Sequence, residues 1–162
     1  MNHLQMLTRY KTWADTLLYD AVAKLTPDEL TMPRPIVFGS ILRTLHHTYA
    51  MECVWKAHLL GRSHELETRN PQDCPPLVEL ASAQVEMNAW YAGYVDALPA
   101  AQHGEEVRFT FIGGGDGAMT REAILLHVVN HATYHRGHIG DMMYDCSVTP
   151  PTTDLPVYLT QA

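Results

Sequence analysis

Residues 121–144 read REAILLHVVNHATYHRGHIGDMMY. Ile124, Leu125, Val128, Val129, Ala132, Ile139, Met142 and Met143 recur there at three- and four-residue steps, the period of a helix with one buried face. Thr120 is a good N-cap for it. The same stretch carries His127, His131, His135 and His138, at steps of four, four and three that keep the imidazoles on one helical face. At about 100° per residue, His131 and His135 lie at the edge of the apolar stripe, where side chains point toward a neighbouring helix. His138 and His127 lie progressively further round. Two histidines one turn apart can reach one ion together, so His131 and His135 are the candidate ligands, and His127 and His138 are candidate pocket residues.

Working outward, three more helices are expected. Leu4, Leu7, Ala14, Leu17, Leu18, Ala21 and Leu25 mark a first helix over about Asn2–Leu25, broken by Thr26-Pro27-Asp28 and by Pro33 and Pro35. Ser40 can cap a second, running through Ile41, Leu42, Leu45, Tyr49, Cys53 and Leu60 to a stop at Gly61. Arg62–Pro76, with Asn70-Pro71 and Pro75-Pro76, reads as a long crossover loop. Leu77, Leu80, Gln84, Met87, Tyr91, Tyr94 and Leu98 mark a third helix, ended by Pro99. Glu105–Ile112 alternates and reads as a short strand, Gly113–Gly117 as a turn, and the residues from Pro150 as an extended tail. Four long helices with a long crossover predict an all-α four-helix bundle, with a short strand or hairpin before the last helix, as one domain over 1–162.

Composition narrows the function. The 162 residues include 11 Lys plus Arg against 18 Asp plus Glu, a net charge of −7, with no basic run. Phosphate backbones repel such a chain, so neither nucleic acid nor anionic membrane is an expected partner. No apolar run approaches the roughly 20 residues that span a bilayer, and the N-terminus lacks a signal-peptide pattern, so a cytoplasmic protein is expected. Cys53, Cys74 and Cys146 are odd in number and widely spaced, which speaks against a disulfide framework or a thiolate zinc site. Trp13, Trp55, Trp90, Tyr91 and Tyr94 are read as core packing. Gly137, costly inside a helix by about 1 kcal/mol relative to Ala, is read as allowing close approach of another backbone, at a helix crossing or a dimer interface.

A durable site needs a further ligand from another helix, and the second offers His46 and His47. The wheel does not choose between them: His46 shares a face with Leu42, Tyr49 and Cys53, and His47 with Met51, Val54 and His58.

The segment His131-Ala-Thr-Tyr-His135-Arg136-Gly137-His138-Ile139 resembles the signature of the DinB-like superfamily, in which His-Arg-Gly-Gln-Ile follows a histidine and three residues. His47, with Glu52 five and Trp55 eight positions on, resembles that family's second-helix pattern. Tyr10-Lys11-Thr12-Trp13-Ala14-Asp15 and Leu18 resemble its first-helix pattern. The resemblance implies His47, His131 and His135 as ligands of a divalent metal such as zinc or nickel, an up-down-down-up bundle, and a homodimer. His138 departs from the pattern, standing where Gln is usual.

Three neutral imidazoles leave a divalent ion its full charge and at least one open position, the arrangement that lowers bound-water pKa to about 7 or stabilises a thiolate. Fold analogy places thiol transfer first: a low-molecular-weight thiol as co-substrate, attacking a small electrophile. Metal-dependent hydrolysis, or a non-catalytic bundle binding a metal or small molecule, are the alternatives. Glu52, at the wrong helical angle to adjoin His47, is read as a buried structural carboxylate. Cys53 and Cys146 are read as simply buried.

Overall fold

The computed structural model describes residues 1–161. Its helices are α1 (His3–Val22), α2 (Pro27–Thr31), α3 (Ile41–Leu59), α4 (Leu77–Ala97), α5 (Arg121–Asp145) and α6 (Leu155–Gln161), with strands β1 (Glu106–Thr110) and β2 (Asp116–Thr120). The four long helices are those the apolar periodicity marks. Side chains close their first turns: Asn2 accepts from the Gln5 amide at 2.9 Å, Ser40 from Arg43 at 3.3 Å, and Thr120 from Ala123 at 3.1 Å.

Contacts along the helices give their directions. On α3 and α5, His47 meets His131, Trp55 meets His127, and the Leu59 carbonyl accepts from Arg121, so the two run antiparallel. On α1 and α4, Arg9 meets Asp96 and Lys11 meets Asn88, again antiparallel. Glu52 meets Gln84 and Lys56 lies over Trp90, so α3 and α4 run parallel. The bundle is therefore up-down-down-up, and the parallel α3–α4 pair is what requires the long crossover.

Two large apolar clusters fill most of the bundle, beside two small ones. One gathers Leu18, Val22, Ile41, Leu45, Leu80, Ile139 and Met143. The other gathers Leu4, Leu59, Tyr91, Val95, Ile124, Leu125 and Val128. Between them, in the order of residues along each helix, lies a polar layer. Lys11 Nζ, 1% exposed, sits 2.8 Å from Asp15 Oδ2, 2.8 Å from Glu52 Oε1 and 2.7 Å from Asn88 Oδ1. Gln84 donates to the other Glu52 oxygen at 2.9 Å, and Arg136 stands 3.6 Å from Asp15. Burial alone would pull the Lys11 pKa down, but Asp15 and Glu52 overcome it and hold the ammonium charged. Glu52 is thus the structural carboxylate expected of it.

Three local expectations change. The extended tail ends in α6: Tyr158 packs on Trp13 at 5.5 Å and Tyr10 at 5.9 Å, and this apolar contact with α1 gives the short helix a face to bury. Thr153 ties the approach, accepting from the Tyr10 hydroxyl at 2.7 Å and from Arg136 Nε at 3.1 Å. Asp116 and Gly117 belong to β2 rather than to the turn, because Gly117 pairs with Phe109 across an antiparallel hairpin. Its missing Cβ would lie 2.5 Å from the Phe109 ring, so glycine lets that ring lie across the strand. Gly137 has nothing within 4 Å of its Cβ position, so no close approach inside the chain explains it. The proline-rich break after α1 also holds the one-turn helix α2, closed by a Thr26–Glu29 capping box.

Removing one partner of a buried ion network leaves the others uncompensated, whereas an exposed pair contributes little. Lys11→Met is expected to cost about 3–5 kcal/mol in urea unfolding, because Glu52 and Asp15 stay buried. Arg9→Ala, which breaks the half-exposed pair with Asp96, is expected to change stability by less than about 1 kcal/mol. Equal effects would contradict the central role of the polar layer.

Candidate metal centre

Helix α3 presents His47 and helix α5 presents His131 and His135 to the same point. His47 Nε2 lies 3.3 Å from His131 Nε2, and His135 Nε2 lies 3.1 Å from the same atom. The three ring nitrogens all fall within 4.8 Å of one another. His46, on the other side of α3, lines a separate pocket with Tyr49 and Cys53. The choice the helical wheel leaves open is therefore made by how α3 sits against α5.

His47 is held from both sides. Its Nδ1 meets the Arg69 carbonyl at 2.6 Å, and Phe38 stacks on its ring at 3.8 Å with planes 17° apart. A carbonyl can only accept, so Nδ1 carries the proton and Nε2 turns a lone pair toward His131. Arg69 sits on the crossover loop, which Arg43 pins by donating to Asn70 at 2.9 Å and Gln72 at 3.2 Å.

The cluster fits a cation. His131 Nε2 faces two nitrogens, and each neutral ring carries one N–H. Protons alone cannot bridge both contacts while His47 Nε2 has none. A cation between the rings satisfies all three lone pairs at once. The 3.3 Å and 3.1 Å spacings are close to that of nitrogens around a tetrahedral ion, about 3.3 Å for bonds of about 2.0–2.1 Å, and the third pair lies within 4.8 Å.

Burial, with His135 and His47 adding to it, pushes the His131 pKa down to about 3. Burial, then His47 and His138, takes His135 to about 4. His47 is lowered too, chiefly by burial and against the pull of the Arg69 carbonyl. The rings are therefore neutral at pH 7, the form in which imidazole binds metals.

The triad forms one wall of an open cleft of about 890 Å³. His127 and His138 line it as well, His127 at 5.6 Å ring-to-ring from His131 and His138 at 5.5 Å from His135. Met51, Val54 and His58 continue the α3 side, along the face they share with His47 in the sequence. Trp55 packs against the core on one side and lines the cleft on the other, because α3 turns it toward His127 and Phe109. Phe38 and the Arg69 carbonyl carry no sequence signal: one precedes the helix cap, and the other is main chain. Phe109 and Phe111 did have one, since strand alternation puts them on one face. Cys53 stands away from the triad, and burial raises its thiol pKa, which disfavours the thiolate.

The pKa directions fix a sign. An unfolded chain protonates these histidines at about 6.5. The folded one resists until about 3 for His131 and about 4 for His135. Between those values the unfolded state binds more protons, so their contribution is complete above about pH 6.5 and is lost as pH falls. The melting temperature of the metal-free chain is expected to drop between pH 7 and pH 5. His131→Gln and His135→Gln should each flatten that slope; an unchanged slope would contradict burial of neutral imidazoles.

The model of the DinB family matches residues 1–162. Protein DinB of Bacillus subtilis is 24% identical over 159 residues, covering 94% of this chain and 91% of that protein. The crystal structure of a DinB-like protein from Bacillus cereus superposes with a TM-score of 0.69 at 17% identity, covering 89% of this chain and 91% of that one, which is a likeness of fold. With the family match running the length of the chain and the fold shared with a DinB-like structure, this chain belongs to the DinB family.

Proposed function

We propose that this DinB-family chain binds one divalent ion through His47, His131 and His135 and works as a metal-dependent thiol S-transferase on a small electrophile. The observation that carries the reading is the convergence of three neutral, buried imidazoles at the wall of an open cleft. Imidazole sets of this kind suit zinc or nickel. When bound, such an ion supplies a Lewis acid that favours the ionised form of a thiol sulfur.

The chain's own residues supply position. The Arg69 carbonyl and the Phe38 ring hold His47 in one tautomer and orientation. The cleft has room for two small molecules side by side. In the transfer, the sulfur forms a bond to carbon as the carbon–leaving-group bond breaks. The leaving group departs with that electron pair, and the thiol proton goes to solvent. Among the described residues no Asp or Glu lines the cleft. That weighs against hydrolysis, where a water nucleophile benefits from a carboxylate base, and suits a thiol, which ionises far more readily.

Tag-free protein is expected to carry about one zinc or nickel per chain by elemental analysis, and His47→Ala, His131→Ala and His135→Ala to lose it while remaining folded. His46→Ala is expected to retain it. Consumption of a free thiol with a nitroaryl halide should require the ion and disappear with it. A parent chain that stays metal-free after incubation with zinc and nickel would end this reading.

A further inference from the structure

The cleft has a second, chemically different end. Trp55 meets Phe109 edge-on at 5.0 Å, Phe109 meets Phe111 at 5.1 Å, and His58 lies 5.2 Å from Phe109. This group comes from α3, about two turns beyond His47, and from the β-hairpin. It connects to the triad through His127, 4.9 Å from Trp55 and 5.6 Å from His131.

The mouth is unusually apolar. Val37 is 81% exposed, Tyr134 62% and Phe111 52%, and all three line this cleft. Exposed apolar side chains scattered singly are ordinary, whereas several at one concave mouth mark a binding site. The hairpin is shaped for the purpose: Gly117 opposite Phe109 leaves the space its ring occupies. Among the described residues Arg69 is the one Arg, Lys, Asp or Glu lining the cleft, so its charge complements an anion.

We infer that the cleft binds a planar aromatic molecule carrying an anionic oxygen head, the ring system against Trp55, Phe109 and Phe111 and the head toward the histidine triad. The placing of the head rests on the triad being a metal site; that of the ring system does not. In the transfer reaction this molecule is the electrophile, and the hairpin aromatics set its class.

Calorimetric titration with 2-naphthoate and with acetate tests this on the full chain, stripped of metal and loaded with zinc, with zinc content measured in the same samples. The metal-free chain is expected to bind naphthoate at least about tenfold more tightly than acetate, from burial of the ring system. Phe111→Ala and Trp55→Leu should each reduce that preference severalfold without changing zinc content. Zinc should tighten both acids alike. A metal-free chain showing no preference, or a preference that both variants leave intact, would overturn the aromatic subsite. Zinc bound at full stoichiometry without tightening naphthoate would overturn the orientation. Failure to bind zinc is read separately, from the metal content: it would overturn the transferase reading and the placing of the head, while the aromatic subsite stands or falls on the metal-free titration.

Discussion

The Lys11 ammonium occupies the middle of the bundle with acceptors on three helices: Asp15 on α1, Glu52 on α3 and Asn88 on α4. A charge buried this deeply is tolerated only while its partners hold their places. Sliding α3 by one turn would carry Glu52 into an apolar layer and strand both charges. The polar layer therefore sets the register of α3, and with it the height of His47, which lies on the same helix just over one turn before Glu52. On α5 the matching contacts fall at Arg136, next to His135. The interaction that aligns the bundle also brings the triad to one level, and the Lys11 charge is near enough to add to the lowering of the His131 pKa.

Around that fixed level, the site combines parts of very different rigidity. The imidazoles stand on two long antiparallel helices, whose backbones are hydrogen-bonded throughout. The carbonyl that orients His47 stands on a loop of irregular backbone, held by the Arg43 side chain. The spacing of the imidazoles is thus set by the bundle, and the orientation of His47 by the loop. The hairpin adds a third contribution, an aromatic wall whose position depends on a cross-strand glycine.

Much of this was legible in the sequence. The fourth-helix stripe identified His131 and His135 because helical periodicity fixes which side chains share a face. It does not select His47 over His46, since a wheel gives a direction but not the neighbour lying there; the family resemblance names His47, and it is His47 that stands beside His131 in the fold. Lys11 was harder to see. It sits in the apolar stripe of α1 between Leu7 and Ala14, and beside Asp15 on its own helix its burial needs the acceptors on α3 and α4. Trp55 does pack against the core, but its second face, toward the cleft, has no sequence signal, since nothing local to α3 tells of a hairpin opposite it. Likewise α6 draws its stability from Tyr10 and Trp13, far away in the chain, and local propensity around Pro156 gives no sign of that.

His47 and His131 lie 84 residues apart, and a chain synthesised as far as residue 130 carries only one member of the triad. The other two arrive on the last long helix, whose docking is completed by the tether from Thr153 to Tyr10 and Arg136. The pocket of imidazoles accordingly has no partial form on the ribosome. Whatever fills it does so only once α5 has docked on α3, as a late event in the folding of the bundle and not as a template around which the first helices gather.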